Sequence, residues 1–222
     1  MGGVVEGMDR VAAGELRNAF CFIGAGGHHA GRNFFGGYCC FNDVVIAIRQ
    51  ARRVGRLRRV AILDTDAHHA DGTRDLVADD PAVLHVCICG VDYKSADGSK
   101  VDVAALAPIA VGGSADQAYL DLVRDTFPDL ARQFRPDLVV WYFGFDTHRG
   151  DYGDLGLTSE AFLGIADVAH DTAREVCDGK LLVVLGGGSR TDLATALIPL
   201  IIDRLAHREM AGGKGLDPKG SQ

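Results

Sequence analysis

RVAILDTDAHHADG, residues 59–72, decides how the chain is read. Its first half is continuously apolar. Its second half, Asp64 to Gly72, crowds three acids and two adjacent histidines into nine residues. An apolar run without alternation predicts a strand covered on both faces, as in a parallel sheet. A polar cluster following it then occupies the carboxyl edge, where open α/β sheets bind ligands.

Four further runs have this character: AFCFI (19–23), VLHVCI (83–88), DLVVWYF (137–143) and KLLVVL (180–185). Amphipathic segments separate them. Phe41, Val44, Val45 and Ile48 recur at helical spacing, as do Tyr119, Leu122, Val123 and Phe127, the latter ended or kinked near Pro128. Phe162, Ile165, Ala169, Ala173 and Val176 mark another helix, with Thr158 or Ser159 as its N-cap. Leu193, Leu197, Leu200 and Ile201 mark the last. Alternating helices and strands predict an α/β domain over 1–207, a mostly parallel sheet with helices on both faces. The tail 208–222 is expected to be disordered.

Of the 222 residues 47% are apolar and 24% charged, and the net charge is −7. That balance opposes a general nucleic-acid binder. The six arginines of Arg49–Arg59 follow an amphipathic helix and are expected to complement its C-terminal dipole. No stretch approaches the ~20 apolar residues of a membrane span. The amino terminus, MGGVVEGMDRVAAGE, lacks the basic and apolar parts of a signal peptide, so a cytoplasmic location is expected. Cys21, Cys39, Cys40, Cys87, Cys89 and Cys177 form no CxxC. Buried reduced thiols are expected, and a cysteine-ligated zinc site is not.

The other polar clusters also leave strand ends: GAGGHHAG after the first run, GFDTHRGD after the fourth and GGGSR after the fifth. In extended backbone, residues two apart share a face, which groups Asp64, Asp66 and His68. A carboxylate and an imidazole so placed suit a zinc-type ion, and Asp146 can supply a third ligand from a second strand. Three protein ligands leave a position for water and substrate. The pair His28–His29 can move protons, while Asp64 and Asp71 can fix imidazole tautomers. His69 is expected to satisfy a backbone carbonyl, and His148 and Arg149 to lie at the rim.

These pieces together resemble the zinc-dependent histone deacetylase family, which includes acetoin-utilisation proteins and acetylpolyamine amidohydrolases. The matching stretches are GGHHAGRNFFGGYCCFNDVVIAI (26–48), VAILDTDAHHADGT (60–73), YFGFDTHRGDYGDLGLT (142–158) and VLGGGSRTDLATA (184–196). The resemblance implies an arginase/deacetylase-like fold and hydrolysis of an acetylated amine, either an acetyl-lysine protein or a small molecule. It implies Asp66, His68 and Asp146 as ligands of Zn2+, for which Fe2+ or Co2+ can stand. His29 becomes the general base, His28 its electrostatic or acid partner, and Asp64 and Asp71 their supports. Gly37 and Tyr38 are implied to line the acyl tunnel, with Gly187 and Gly188 also against substrate. The family's structural K+ has weaker support, because its usual serine falls at Cys87.

Two departures stand out. The family's tyrosine after the glycine run, a donor to the developing oxyanion, is absent; Arg190 or Ser189 stands there. Relatives also carry an additional N-terminal segment, so the sheet is expected to be truncated at that edge, with an oligomer as one way to cover it. Three other readings compete. A binuclear manganese ureohydrolase lacks two bridging carboxylates here, since Ala70 and His148 stand where acids are needed. A metal- and acyl-binding module without turnover accommodates the missing tyrosine. A nucleotide phosphate loop at GAGG or GGG leaves the other clusters unexplained.

Overall fold

The computed structural model describes residues 1–23, 26–105 and 114–212, with side chains as far as 207. Its helices are α1 (Gly2–Ala12), α2 (Asp43–Arg53), α3 (Asp71–Val77), α4 (Ala115–Phe134), α5 (Ser159–Cys177) and α6 (Thr191–Gly212). Its strands are β1 (Asn18–Cys21), β2 (Val60–Asp64), β3 (Val83–Cys89), β4 (Tyr93–Lys94), β5 (Lys100–Ala104), β6 (Leu138–Phe143) and β7 (Leu181–Leu185). One sheet takes them in the order β1-β7-β6-β2-β3-β5-β4. Among the described residues, only the β4–β5 strand pair is antiparallel.

The unbroken hydrophobicity of the central strands follows from cover on both faces. Ala61, Leu63, Val139, Trp141 and Phe143 point into one core with α4, α5 and α6. Their alternates Val60, Ile62, Leu138, Val140 and Tyr142 point into a second core with α1 and α2. The five expected strands are all present. β5 escaped notice because its sequence, KVDVA, alternates and buries both Lys100 and Asp102.

Several local expectations need correction. Phe41 lies outside α2 and is exposed; the helix starts at Asp43, where Asn42 caps it by accepting the Val45 N–H at 3.2 Å. Pro128 does not end α4, which continues to Phe134. The buried stripe of Val123, Phe127 and Ala131 runs past the proline, and its packing outweighs the lost hydrogen bond. Leu200 is exposed, while Leu197 and Ile201 are buried. Finally, α6 runs past the boundary expected at 207, and residues 213–222 lie outside the described residues.

Register then places the chemistry. Asp64 is paired with Tyr142, which is paired with Val184, which is paired with Cys21. The polar segments after β1, β2, β6 and β7 therefore leave the sheet from one line. That line crosses the β2/β6 boundary, where successive connections run to opposite sides, the usual ligand crevice of such sheets.

Candidate active site

At the carboxyl edge a cavity of about 700 Å³ is lined by His28, His29, Asp66, His68, Tyr152 and the glycine run. Asp66 and Asp146 lie buried beneath it, while His68 is open to the cavity. His68 Nδ1 is 3.0 Å from Asp66 Oδ1 and 3.0 Å from Asp146 Oδ2. One ring proton cannot serve two carboxylates. Asp66 Oδ1 also accepts the His68 backbone N–H at 2.9 Å, whereas the fully buried Asp146 Oδ2 has no hydrogen-bond partner among the described residues. A buried carboxylate oxygen without a donor is costly. This oxygen and Asp66 Oδ1 converge on one imidazole nitrogen as a candidate cation site, and the Asp/His/Asp donor set fits a zinc-type ion.

The ionisation of these groups points the same way. The carboxylates of Asp146 and Asp66, both close to its ring nitrogen, push the His68 imidazole up to about 10, so that a proton occupies the place of an ion. Burial, reinforced by the Asp66 charge, pushes Asp146 up to about 6 despite the neighbouring His68 imidazole. Burial also works against the charge on Asp66, but the hydrogen bond from His68 outweighs it and holds the carboxyl low.

Beside this cluster stand two histidine–carboxylate pairs, in which the two acids expected to support imidazoles each meet one ring. His28 Nδ1 is 3.0 Å from Asp64 Oδ2, with both side chains buried. His29 Nδ1 is 2.6 Å from Asp71 Oδ1, and Asp71 reaches solvent. The two rings meet edge to face with centroids 4.1 Å apart, and His29 lies 6.1 Å from His68. Burial lowers the pKa of His28, yet the charge and hydrogen bond of Asp64 outweigh it and raise it to about 9.

Tyr142 of β6 fixes this segment from below. Its hydroxyl accepts the Gly27 N–H at 2.6 Å and the His28 N–H at 3.3 Å, and its ring stacks on His28. Thr73 of α3 donates its N–H to the His28 carbonyl at 2.8 Å. Gly37, at φ +52°, lets His29 lie against the backbone, since a Cβ there would approach His29 Cδ2 to 2.2 Å. The next residue, Tyr38, is 96% exposed and stands at the cavity mouth. Gly187 faces the cation site, since its Cβ would fall 2.1 Å from Asp66 Oδ2.

A model of the histone deacetylase domain matches residues 1–203. The chain belongs to the histone deacetylase family. It is 31% identical over 207 residues to histone deacetylase clr3 of Schizosaccharomyces pombe, covering 86% of this chain and 30% of that protein. It is 30% identical over 195 residues to a probable deacetylase of Archaeoglobus fulgidus, covering 84% and 54%. The chain thus spans from a third to a half of the length of these relatives. Among solved structures, that of the HDA15 HD domain superposes with a TM-score of 0.77 at 26% identity, covering 92% of this chain and 60% of that one. The fold is therefore the arginase/deacetylase type.

Within this deacetylase fold, the segment after β7 departs most from expectation. Arg190 lines the cavity, but its guanidinium is engaged by Asp192, with Nη2 2.5 Å from Oδ2. Ser189 is turned away to Asp151: its Oγ donates at 2.9 Å, and Asp151 Oδ2 also accepts the Arg190 N–H at 3.0 Å. Asp151 thereby anchors the start of α6. Its neighbour Tyr152, which sequence reasoning overlooked, crosses the cavity instead. The Tyr152 ring lies 5.4 Å from that of His68, and its hydroxyl accepts the Gly188 N–H at 3.2 Å. The signal was present in HRGDYGD, but nothing in the spacing said that this phenol would face the ligand cluster. His148 and Arg149 lie beyond the cavity, with His148 stacked on Phe162.

Proposed function

We propose that the chain is a metal-dependent amidohydrolase that removes an acetyl or other acyl group from an acetylated amine, such as acetyl-lysine or an acetylpolyamine. The observation that carries this reading is the donorless Asp146 Oδ2 facing His68 and Asp66, beside two supported imidazoles. Asp66, His68 and Asp146 would hold a single Zn2+, or Fe2+ or Co2+, which accept the same donors. Bound there, such an ion supplies Lewis-acid polarisation of a carbonyl and acidification of water.

The protein residues do the rest. His29 accepts the proton of the water that adds to the amide carbon and returns a proton to the amine nitrogen as the C–N bond breaks, leaving acetate and free amine. Asp71 fixes the ring of His29 for this exchange. His28, held by Asp64, presents a positive charge beside the developing oxyanion. Tyr152, reaching over His68, donates the hydrogen bond for which the family uses a later tyrosine. Gly37, Tyr38, Gly187 and Gly188 border the acyl group. The names of the relatives favour acetyl-lysine in a protein as substrate.

Hydrolysis of a fluorogenic acetyl-lysine amide by zinc-loaded protein tests this reading. Turnover should vanish with chelation and return with zinc. Tyr152→Phe should lower kcat by ~10²–10³ with KM little changed, whereas Arg190→Ala should have a small effect. Stoichiometric metal without turnover across an acyl-amide panel would favour the binding module.

A further inference from the structure

His68 and His69 are neighbours, yet they face different ligands. His68 turns to Asp146 after β6, while His69 turns the other way, toward β3 and β5. There its Nδ1 lies 3.7 Å from Cys89 Sγ and 3.7 Å from Asp102 Oδ2. Cys87 and Cys89 alternate onto one face of β3, and Cys87 is in register with Asp102 across the β3–β5 pair. One ligand atom from each of His69, Cys87, Cys89 and Asp102 lies within 4.8 Å of all the others. The two cysteines and the aspartate are buried, and His69 is partly open to solvent.

We propose that these four side chains form a second metal centre, a thiolate-rich structural site for a zinc-type ion, distinct from the Asp66/His68/Asp146 cluster. Tetrahedral zinc, with bonds of ~2.3 Å to sulfur and ~2.0–2.1 Å to nitrogen or oxygen, sets neighbouring donor atoms roughly 3.3–3.8 Å apart. Both His69 contacts already have that spacing, and small side-chain rotations close the rest. Charge also fits. Two thiolates and a carboxylate carry three negative charges, a divalent ion two positive, and the guanidinium of Arg74 supplies the remaining one. Arg74 grips Asp102 with Nη2–Oδ1 2.5 Å and Nη1–Oδ2 3.2 Å, and its Nε donates to His85 Nδ1 at 3.3 Å. The loaded site would be neutral overall, as a buried centre requires, and its carboxylate is already oriented.

The lack of CxxC argued against thiolate ligation. A CxC pair on a strand presents both sulfurs to one side, and the fold brings up the other two donors from the segment after β2 and from β5. Such an ion would tie β3 and β5 to that segment and fix it on the side opposite His68. Two centres would then share one nine-residue stretch.

Cobalt separates the two centres, because only the proposed site carries thiolates. Reduced whole chain loaded anaerobically with Co2+ should bind two ions and show an intense near-ultraviolet thiolate-to-cobalt band. Cys87→Ser/Cys89→Ser should lose the band and one ion. Asp146→Ala should lose the other ion and keep the band, so failure of the amidohydrolase reading is scored apart. His69→Asn, at a partly exposed position, guards against misfolding of the double variant and should weaken the band-forming ion at least tenfold. Absence of the band in wild-type protein with excess Co2+, its survival in the double variant, or a Cys87–Cys89 disulfide in protein purified without reductant would overturn the proposal.

Discussion

The two histidine–carboxylate pairs use the same chemistry in opposite surroundings. His28–Asp64 is sealed beneath the cavity, with the ring stacked on Tyr142 and the carboxylate at the end of a central strand. His29–Asp71 sits at the cavity wall, its carboxylate at the start of a short helix and open to water. In the sealed pair the charges can neither be screened nor change partners, so its task is to hold a fixed field and to brace the fold. In the reaction proposed above, the open pair exchanges protons with a substrate and recovers them from solvent. On that proposal, adjacent residues divide support from proton transfer through burial.

Breaking the sealed pair should do the most damage. Asp64→Ala removes the partner of a buried imidazolium and is expected to cost about 3–5 kcal/mol of unfolding free energy, read by denaturant titration, together with activity. A stability change of less than 1 kcal/mol would mean that water or Asp66 compensates. His29→Ala should leave the unfolding midpoint and metal content near wild type while lowering kcat by ~10²–10⁴. Unchanged turnover would transfer the base to His28. Asp71→Asn, which removes only the orienting charge, is expected to reduce kcat roughly 10–100-fold, and a loss as large as that of His29→Ala would show the pair acting as one unit.

The smallest effect sharpens the comparison through pH. In metal-free protein the folded pKa of His28, about 9, lies above its ordinary value. Stability from the pair is then fully present below about 6.5 and is lost as pH rises through the folded value, because the folded state holds the extra proton. His68, raised to about 10, adds in the same direction. The unfolding midpoint should therefore fall from neutral pH toward 9, and less steeply in His28→Gln. An identical slope in that variant would assign the effect to His68 alone.

Much of this arrangement could be read before the fold was seen. The five apolar runs, their parallel order and the convergence of Asp64, Asp66, His68 and Asp146 follow from periods and strand ends. Asp64 and Asp71 are expected to support the two histidines, but which acid meets which ring is decided only by the fold. Other features depend on what crosses from a distant segment. β5 hid because its polar residues are buried against Arg74 and the Ser99 hydroxyl rather than facing water. Pro128 looked like a terminator because local propensity says nothing of the stripe that packs across it. Tyr152 and the Cys87/Cys89 face were invisible because each acquires meaning from residues that the chain brings near only after folding.

Anomalous diffraction from a crystal grown with zinc reads the ligand cluster itself. A peak is expected within ~2.0–2.2 Å of Asp66, His68 and Asp146, with Asp146 Oδ2 among the ligands. Clear density for these side chains turned apart, with no anomalous signal between them, would contradict a metal centre there.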